Sequence, residues 1–295
     1  MAWQSVWRIG LLGLFLAVTS AACARDLDDV RQAGVLRHLG IPYANFVTGS
    51  GDGLDVELMQ GFARHLGVRY EFIKTDWNRA FGDLAGRQVR RTDSGIQWLG
   101  NVPVRGDVLA SGITTLAWRG EVVDFSNPTF PSGVWLVARA QSSLRPITPT
   151  GSLEADIRKL KQLMRGRSVL ALENTCLDPG LYDIAKTGAR VKLANSTLQL
   201  NEMAPAVLNG DAETTLLDVP DALIALDKWP GELKVIGPVS GNQEMSVAFR
   251  KSSPKLRAAF NQYLEKVWRD GSYIKLVQRY YPGVFDYYRD FFETR

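Results

Sequence analysis

The sequence predicts an α/β protein of two lobes, with mostly parallel sheets flanked by helices and a cleft between the lobes. Three observations lead there. Strand-like apolar runs alternate with helical patterns through most of the 295 residues, the rhythm that builds βαβ units. The chain is also long enough for two units, since domains of roughly 100 to 150 residues are the commonest size. Finally, a late extended run, "EMSVAF" at 244–249, follows the last strand–helix unit and has the same character as "GVWLVARA" at 133–140. If these two runs pair as crossover strands, the chain leaves lobe 1, builds lobe 2 and returns. The expected bounds are 25–135 for the first part of lobe 1, 136–245 for lobe 2 and 246–295 for the return segment.

The first 24 residues stand outside that scheme. Arg8 precedes an apolar run at 9–18 and a stretch of small residues, the form of a secretory signal peptide and too short to cross a bilayer comfortably. Ala22-Cys23-Ala24 permits cleavage after Ala24. Cleavage before Cys23, with a lipid on that residue, is the alternative, although Ser20 stands where lipoprotein signals carry Leu. The expected location is the periplasm, free or lipid-anchored at Cys23. Either way Cys176 has no partner for a disulfide framework, so the core holds the fold unaided. Apolar residues make up 45% and charged residues 22% of the chain, an ordinary globular balance. The net charge of +4 is interspersed rather than gathered in a basic tract, which argues against nucleic acid as a partner.

Along the mature chain, Asp26 is placed to cap a helix at 27–33 that Gly34 ends, and "VLRHLGI" follows as a strand. Val56, Met59, Ala63 and Leu66 share a helical face, with Gly67 at its stop, and Val68, Tyr70 and Phe72 alternate in the next strand. Residues 85–105 have weak periodicity and read as an inserted loop or hairpin. An apolar strand is expected at 108–113. The Ser, Pro and Thr enrichment at 141–151 fits a lobe boundary. A helix at 153–164, the strand "SVLALE", and a helix over "DPGLYDIAKTG" with Asp178 as cap and Pro179 at its first position come next. "RVKLA", a helix before Gly210, "TTLLD", a helix opened by Pro220, and "LKVIG" complete the second set. Leu256, Phe260, Leu264 and Val267 mark a helix at 254–270, and another follows Gly271.

The stretch "RGDVLASGITTLAWRGEVVDFSNP" at 105–128 sets Arg119 just past an apolar strand and a Gly-Ile-Thr-Thr turn. Crevices at the carboxyl ends of strands are where α/β proteins hold ligands, and the planar guanidinium fits a carboxylate. The alternative is a surface ion pair of Arg119 with Asp124 or Glu121, worth little in stability.

In their order and spacing, "DDVRQAGVLRHLGIP", "GLDVELMQGFARHLGVRYEFIKTDW", "GDVLASGITTLAWRGEVVDFSNP", the strand and turn around Asn174 and Thr175, "LLDVPDAL" and "YLEKVWRDGSYIKLVQRYYPG" resemble the periplasmic solute-binding proteins of family 3, which serve polar amino-acid transporters. The resemblance covers nearly the whole mature chain. Within the family it is nearest to the amino-terminal binding module of membrane-bound lytic murein transglycosylases. The tail "PGVFDYYRDFFETR" is similar to the linker after that module, and these residues include no transglycosylase domain. The resemblance implies the type II periplasmic-binding-protein fold and a site in which an arginine and a Gly/Ser-x-Thr/Ser turn hold a ligand's α-carboxylate. Arg119, Gly112 and Thr114 match those positions. Thr175 matches a threonine at the head of a lobe 2 helix, although Asp178-Pro179 sets the helix start a turn later. Asp218 matches the aspartate that takes the α-ammonium, and as an alternative it caps the helix before Pro220.

Tyr43 and Phe46 fall where the family has an aromatic cleft wall, and Trp77 follows the strand "YEFIKTD". Each is equally a core residue by its chemistry. Trp118 and Leu116 replace a charged residue and a threonine of the family pattern, so the ligand is expected to differ from that of ordinary amino-acid binders. Cys176 reads as a buried, inert thiol.

No nucleophile, metal cluster or cofactor motif stands out, and His38 and His65 read as surface residues. One enzymatic branch of the fold, the periplasmic cyclohexadienyl dehydratases, carries a catalytic glutamate where Leu177 stands here, with Glu173 on the other side of Thr175. The expectation is therefore a monomeric, non-catalytic receptor without cofactor or metal. It would close around an amino acid or small peptide-like carboxylate and serve an inner-membrane permease or sensor. A cell-envelope regulatory module for murein-derived peptide is the alternative, and a dehydratase the weaker third reading.

Overall fold

In a computed structural model, which describes residues 25–92, 95–195 and 199–293, two five-stranded sheets form the two lobes. The expected signal segment at 1–24 and Cys23 lie outside the described residues. Lobe 1 begins with α1 (Leu27–Ala33), β1 (Val35–Gly40), α2 (Leu54–Leu66), β2 (Arg69–Lys74) and α3 (Ala80–Ala85). It continues with β3 (Arg87–Thr92), β4 (Gly95–Asn101), β5 (Val108–Leu109), α4 (Ala117–Val122) and β6 (Val123–Phe125). The chain crosses on β7 (Phe130–Ser132) and builds lobe 2 from β8 (Val134–Arg139), α5 (Leu153–Leu163), β9 (Ser168–Ala171), β10 (Arg190–Leu193), α6 (Met203–Leu208), β11 (Thr214–Asp218), α7 (Val219–Lys228) and β12 (Leu233–Pro238). It returns on β13 (Gln243–Met245) to complete lobe 1 with β14 (Ala248–Arg250), α8 (Pro254–Arg269), α9 (Ser272–Tyr280) and α10 (Val284–Glu293).

The strand orders are β2-β1-β5-β14-β6 and β10-β9-β11-β8-β12. In each sheet four strands share one direction, as βα units dictate, and one, β14 in lobe 1 and β8 in lobe 2, runs antiparallel between two of them because it enters directly from a segment that crosses between lobes. The sheets are thus mostly parallel, as expected, with one reversed strand in each. The crossing falls earlier than 133–140 and 244–249. Phe130–Ser132 pairs antiparallel with Gln243–Met245, while the run at 133–140 supplies β8, a sheet strand of lobe 2. The 141–151 segment is no boundary. It lies along lobe 2, where the Ile147 N–H donates to the Ile236 carbonyl and Lys234 Nζ donates to the carbonyls of Ala140 and Ser142.

Local chemistry explains most element ends. Asp26 and Asp29 form a reciprocal capping box at α1, and Gly34 closes that helix at φ 64°. Residues 87–92 and 95–101 pair antiparallel as the β3–β4 hairpin. Over 178–188 the expected helix is two 3₁₀ turns, Pro179–Tyr182 and Ile184–Thr187, because Asp183 between them takes φ 55° and breaks the spiral. At the carboxyl end, α10 bears on the crossover. Phe292 packs on Phe130 and Trp268, and the Tyr287 ring meets Trp135 of lobe 2.

The strand expected at 108–113 stops at Leu109. Beyond it the chain folds over the end of β1, where the Ser111 hydroxyl accepts from the Ile41 N–H and Gly112 takes φ 58°. His38, expected at the surface, is fully buried beneath this loop. Its Nε2 donates to the Ala110 carbonyl at 2.7 Å, and its Nδ1 accepts from the Tyr70 hydroxyl at 2.8 Å. Burial pushes its pKa down to about 4, so the ring is neutral. His65 lies exposed on α2.

Asp55, in the first turn of α2, is buried under the same loop and accepts from the Gly112 N–H at 2.7 Å. Desolvation outweighs that bond and raises its pKa to about 7. An unfolded carboxyl ionises near 3.8, so between about pH 4 and 7 the folded state holds a proton that the unfolded state has lost, and stability falls as pH rises through that window. Asp55→Asn keeps an oxygen for Gly112. Its stability relative to the parent protein should rise by about 2 to 4 kcal/mol from pH 4 to 7 and stay level above about pH 8, as read by urea denaturation. His38 acts in the opposite sense below its ordinary value and cancels in that comparison.

Candidate functional site

The loop at 110–116 delivers the chain to α4, whose third residue, Arg119, is 1% exposed at the lobe boundary. Its Nη1 donates to the Thr114 carbonyl at 2.9 Å. Its Nε and Nη2 meet no partner. The rings of Trp77, Phe81 and Trp118 lie 5.8, 5.2 and 5.4 Å from the guanidinium carbon, a cage of π faces that offsets part of the desolvation cost. Burial still pushes the guanidinium below its ordinary pKa. The surface-pair alternative does not hold, since Asp124 lies 3.7 Å from Lys251 instead. The indole N–H groups of Trp77 and Trp118 also lack partners, and the Thr114 hydroxyl meets only the Cys176 thiol of lobe 2. Lobe 1 therefore presents a surplus of buried donors around one fixed cation.

Gly112 serves the loop in another way. Its N–H is taken by Asp55, and the Phe46 ring covers it so closely that a Cβ would sit 2.5 Å from ring carbons. The space that glycine opens is filled by Phe46, itself stacked on Tyr43 and edge-on to Phe130. Phe46 is a core residue.

Lobe 2 answers with acceptors. Asp218, the last residue of β11, is 1% exposed and accepts from the Tyr43 hydroxyl of lobe 1 and from Cys176 Sγ at 3.5 Å. It stands at the N-cap position of α7 without a side-chain capping bond. Desolvation raises its pKa to about 6, against the Tyr43 and Cys176 bonds that favour the charged form. Asp221, three residues on, was not singled out by sequence reasoning. Its Oδ2 is buried without a partner, and burial, with the Asp218 charge beside it, holds its carboxyl well above the usual range. One carboxylate and one neutral acid thus share the head of α7. The signal was the spacing in "DVPD", which sets both side chains at the first turn of a helix.

The structure brings Arg119, Thr114, Tyr43, Trp77, Asp218 and Cys176 together at the lobe boundary. Tyr43 packs edge-on to Trp77 at 5.7 Å. Thr175 lies beside them, but its hydroxyl is spent within its own turn, donating to the Leu172 carbonyl at 2.7 Å and accepting from the Leu177 N–H at 3.0 Å. A cavity of about 120 Å³ opens from Trp77 between the lobes, with Asp76, Asn78, Glu173, Asn174 and Thr175 on its walls. Cys176 is buried beside Asp218, and burial pushes its thiol up, away from reactivity. Leu177 is buried and apolar. Among the described residues no three His, Cys, Asp or Glu side chains are grouped to hold a metal.

Comparisons with known proteins bear on the family and the fold. The family model of bacterial extracellular solute-binding proteins, family 3, matches residues 102–283. The membrane-bound lytic murein transglycosylase F of Desulfosudis oleivorans is 25% identical over 238 residues, covering 80% of this chain and 46% of that protein, so the chain spans about half the length of this relative. The L-cystine-binding protein TcyJ of Escherichia coli K12 is 21% identical, over 78% of this chain and 74% of its own. Among solved structures, a mutant of the T. maritima arginine-binding protein ArgBP superposes with a TM-score of 0.67 at 23% identity, over 87% of this chain and 99% of that one. The ancestral amino acid-binding protein AncCDT-1, a precursor of cyclohexadienyl dehydratase, reaches 0.65 at 22%, over 86% and 98%. These two likenesses speak for the fold, and the family match covers more than half the sequence. The chain belongs to the bacterial extracellular solute-binding proteins, family 3.

Proposed function

We propose that this protein is a periplasmic receptor that captures an amino acid or a small peptide-like carboxylate between its lobes and presents it to an inner-membrane permease. One observation carries the reading: Arg119 is buried with two guanidinium nitrogens unpartnered. A buried cation with unused donors is costly unless a ligand completes it, and Nε with Nη2 is the fork that grips a carboxylate bidentately. Thr114 and the two indoles add donors around the same anion. Across the cleft Asp218 offers the ligand's ammonium a carboxylate, and Tyr43 orients that carboxylate. The 120 Å³ cavity by Trp77 receives the side chain, so the ligand is small. Catalysis is not part of this reading, since buried Leu177 stands where the dehydratase branch has its glutamate.

A second reading, a cell-envelope module that binds murein-derived peptide without transport, is favoured by the transglycosylase F relative. A thermal-shift panel of L-arginine, L-glutamine, L-cystine and a murein tetrapeptide separates the two. The receptor reading expects one free amino acid, at about 100 times its Kd, to raise the midpoint by roughly 5 to 10 °C. A response to the tetrapeptide alone would favour the envelope module, and none at all would sink both.

Arg119→Met removes the unpaired buried charge while keeping volume. Without ligand its midpoint should rise, by about 1 to 3 kcal/mol of stability, and the ligand-induced shift should vanish. Asp218→Asn should weaken amino acids about 30-fold or more, yet leave analogues without the amine nearly unchanged, as measured by calorimetry. With the Asp218 pKa raised to about 6, affinity of the parent protein for an amine ligand falls as pH drops below that value.

A further inference from the structure

The carboxylate site does not explain the β3–β4 hairpin of lobe 1. From it Arg91 reaches across the lobe boundary, with Nη1 2.8 Å from Asp178 Oδ2 and the two side chains only 16% and 9% exposed. We propose that Arg91 is a positioning residue for the cleft. Through Asp178 it fixes the lobe 2 turn that carries Thr175 and Cys176, and in doing so it clasps the lobes together.

The Asp178 carboxylate is the hub of that turn. Besides Arg91 it accepts from the Asn174 N–H at 3.2 Å and from the Gly180 N–H at 2.9 Å. Asn174 is thereby held at φ 61°, a left-handed conformation that costs energy outside glycine. Thr175 and Cys176 follow it directly, one on the cavity wall and the other against Asp218. The guanidinium comes so near the turn that a Cβ on Gly180 would lie 3.5 Å from Arg91 Nη2.

The same face of the hairpin also leads to the cation, since Val89 lies two residues before Arg91 and the pair Val89 and Arg91 faces Trp98 and Ile96. Val89, Ile96 and Trp98 pack on the cluster that includes Phe81 and Trp118, two of the three rings around Arg119. One rigid arm thus joins the carboxylate grip of lobe 1 to the cleft turn of lobe 2. The pair forms only when the lobes are closed, because its partners belong to bodies joined by the short β7–β13 ribbon. Being largely sheltered, it is screened little by salt. Exposing one partner without the other would leave a charge poorly paired, so hairpin and turn engage together.

The role in ligand retention rests on the receptor reading above, whereas the clasp does not. Small-angle X-ray scattering of residues 25–295 without added ligand reads the clasp. Stopped-flow tryptophan fluorescence with L-arginine and with L-cystine reads retention. Arg91→Ala should raise the radius of gyration and speed ligand release about 10-fold with little change in association rate. Arg91→Lys should restore much of both, and Asp178→Asn should add nothing when combined with Arg91→Ala. An unchanged radius of gyration in Arg91→Ala overturns the clasp whether or not either amino acid binds. A larger radius with unaltered release overturns the role at the turn. A larger radius with no binding of either amino acid by the parent protein counts against the receptor reading and leaves the clasp standing.

Discussion

The organisation of this molecule depends on keeping one guanidinium out of water. Arg119 could reach solvent from many surface positions on a short helix. Instead it is enclosed by three aromatic rings, with a single backbone carbonyl as its hydrogen-bond partner. Desolvating a cation is expensive, and three features offset the cost: the π faces, the negative charge of Asp218 across the boundary, and a loop anchored firmly enough not to rotate the side chain outward. That anchoring is the work of Asp55 and His38, which bind the loop from below through Gly112 and Ala110. Both are neutral in the folded state near pH 6, so they hold the loop without placing a competing carboxylate or a second cation under the site.

The second lobe mirrors this economy. Its two acids at the head of α7 share one charge, and the charged one is met by hydroxyl and thiol donors rather than by a lysine or arginine of the same chain. A strong internal ion pair between Arg119 and Asp218 would satisfy both groups and close the cleft for good. Keeping them as neighbours without a direct bond leaves each free for the opposite ends of the small zwitterion proposed above as ligand.

Much of this was legible in the sequence, and what was legible was local. Gly34 and Gly67 end helices by taking left-handed conformations, and the Asp26 cap is a matter of three residues. The family pattern located Arg119, Tyr43, Thr114 and Asp218 in the sequence. What escaped was set by partners distant in the chain. His38 read as a surface residue because its acceptor and donor, Ala110 and Tyr70, arrive from other elements. The crossover was misplaced because a long apolar run resembles a crossover strand as much as a sheet strand, whereas the true crossing, Phe130–Ser132, is three residues with a proline in the middle. The helix expected at 178–188 fails at Asp183, a residue with no sequence mark of its left-handed backbone.

The place of β14 bears on how the molecule is assembled. It lies between β5 and β6 in the lobe 1 sheet, hydrogen-bonded to both, yet the whole of lobe 2 separates it from them along the chain. Lobe 2 is a single continuous insert that can nucleate from near neighbours. Lobe 1 cannot close its sheet until the last fifth or so of the polypeptide is present, and contacts of such long range are slow to form. The two halves of the cleft are therefore made on different clocks: the acceptor wall can be ready early, whereas the wall that carries the buried cation is finished only when the returning strand arrives.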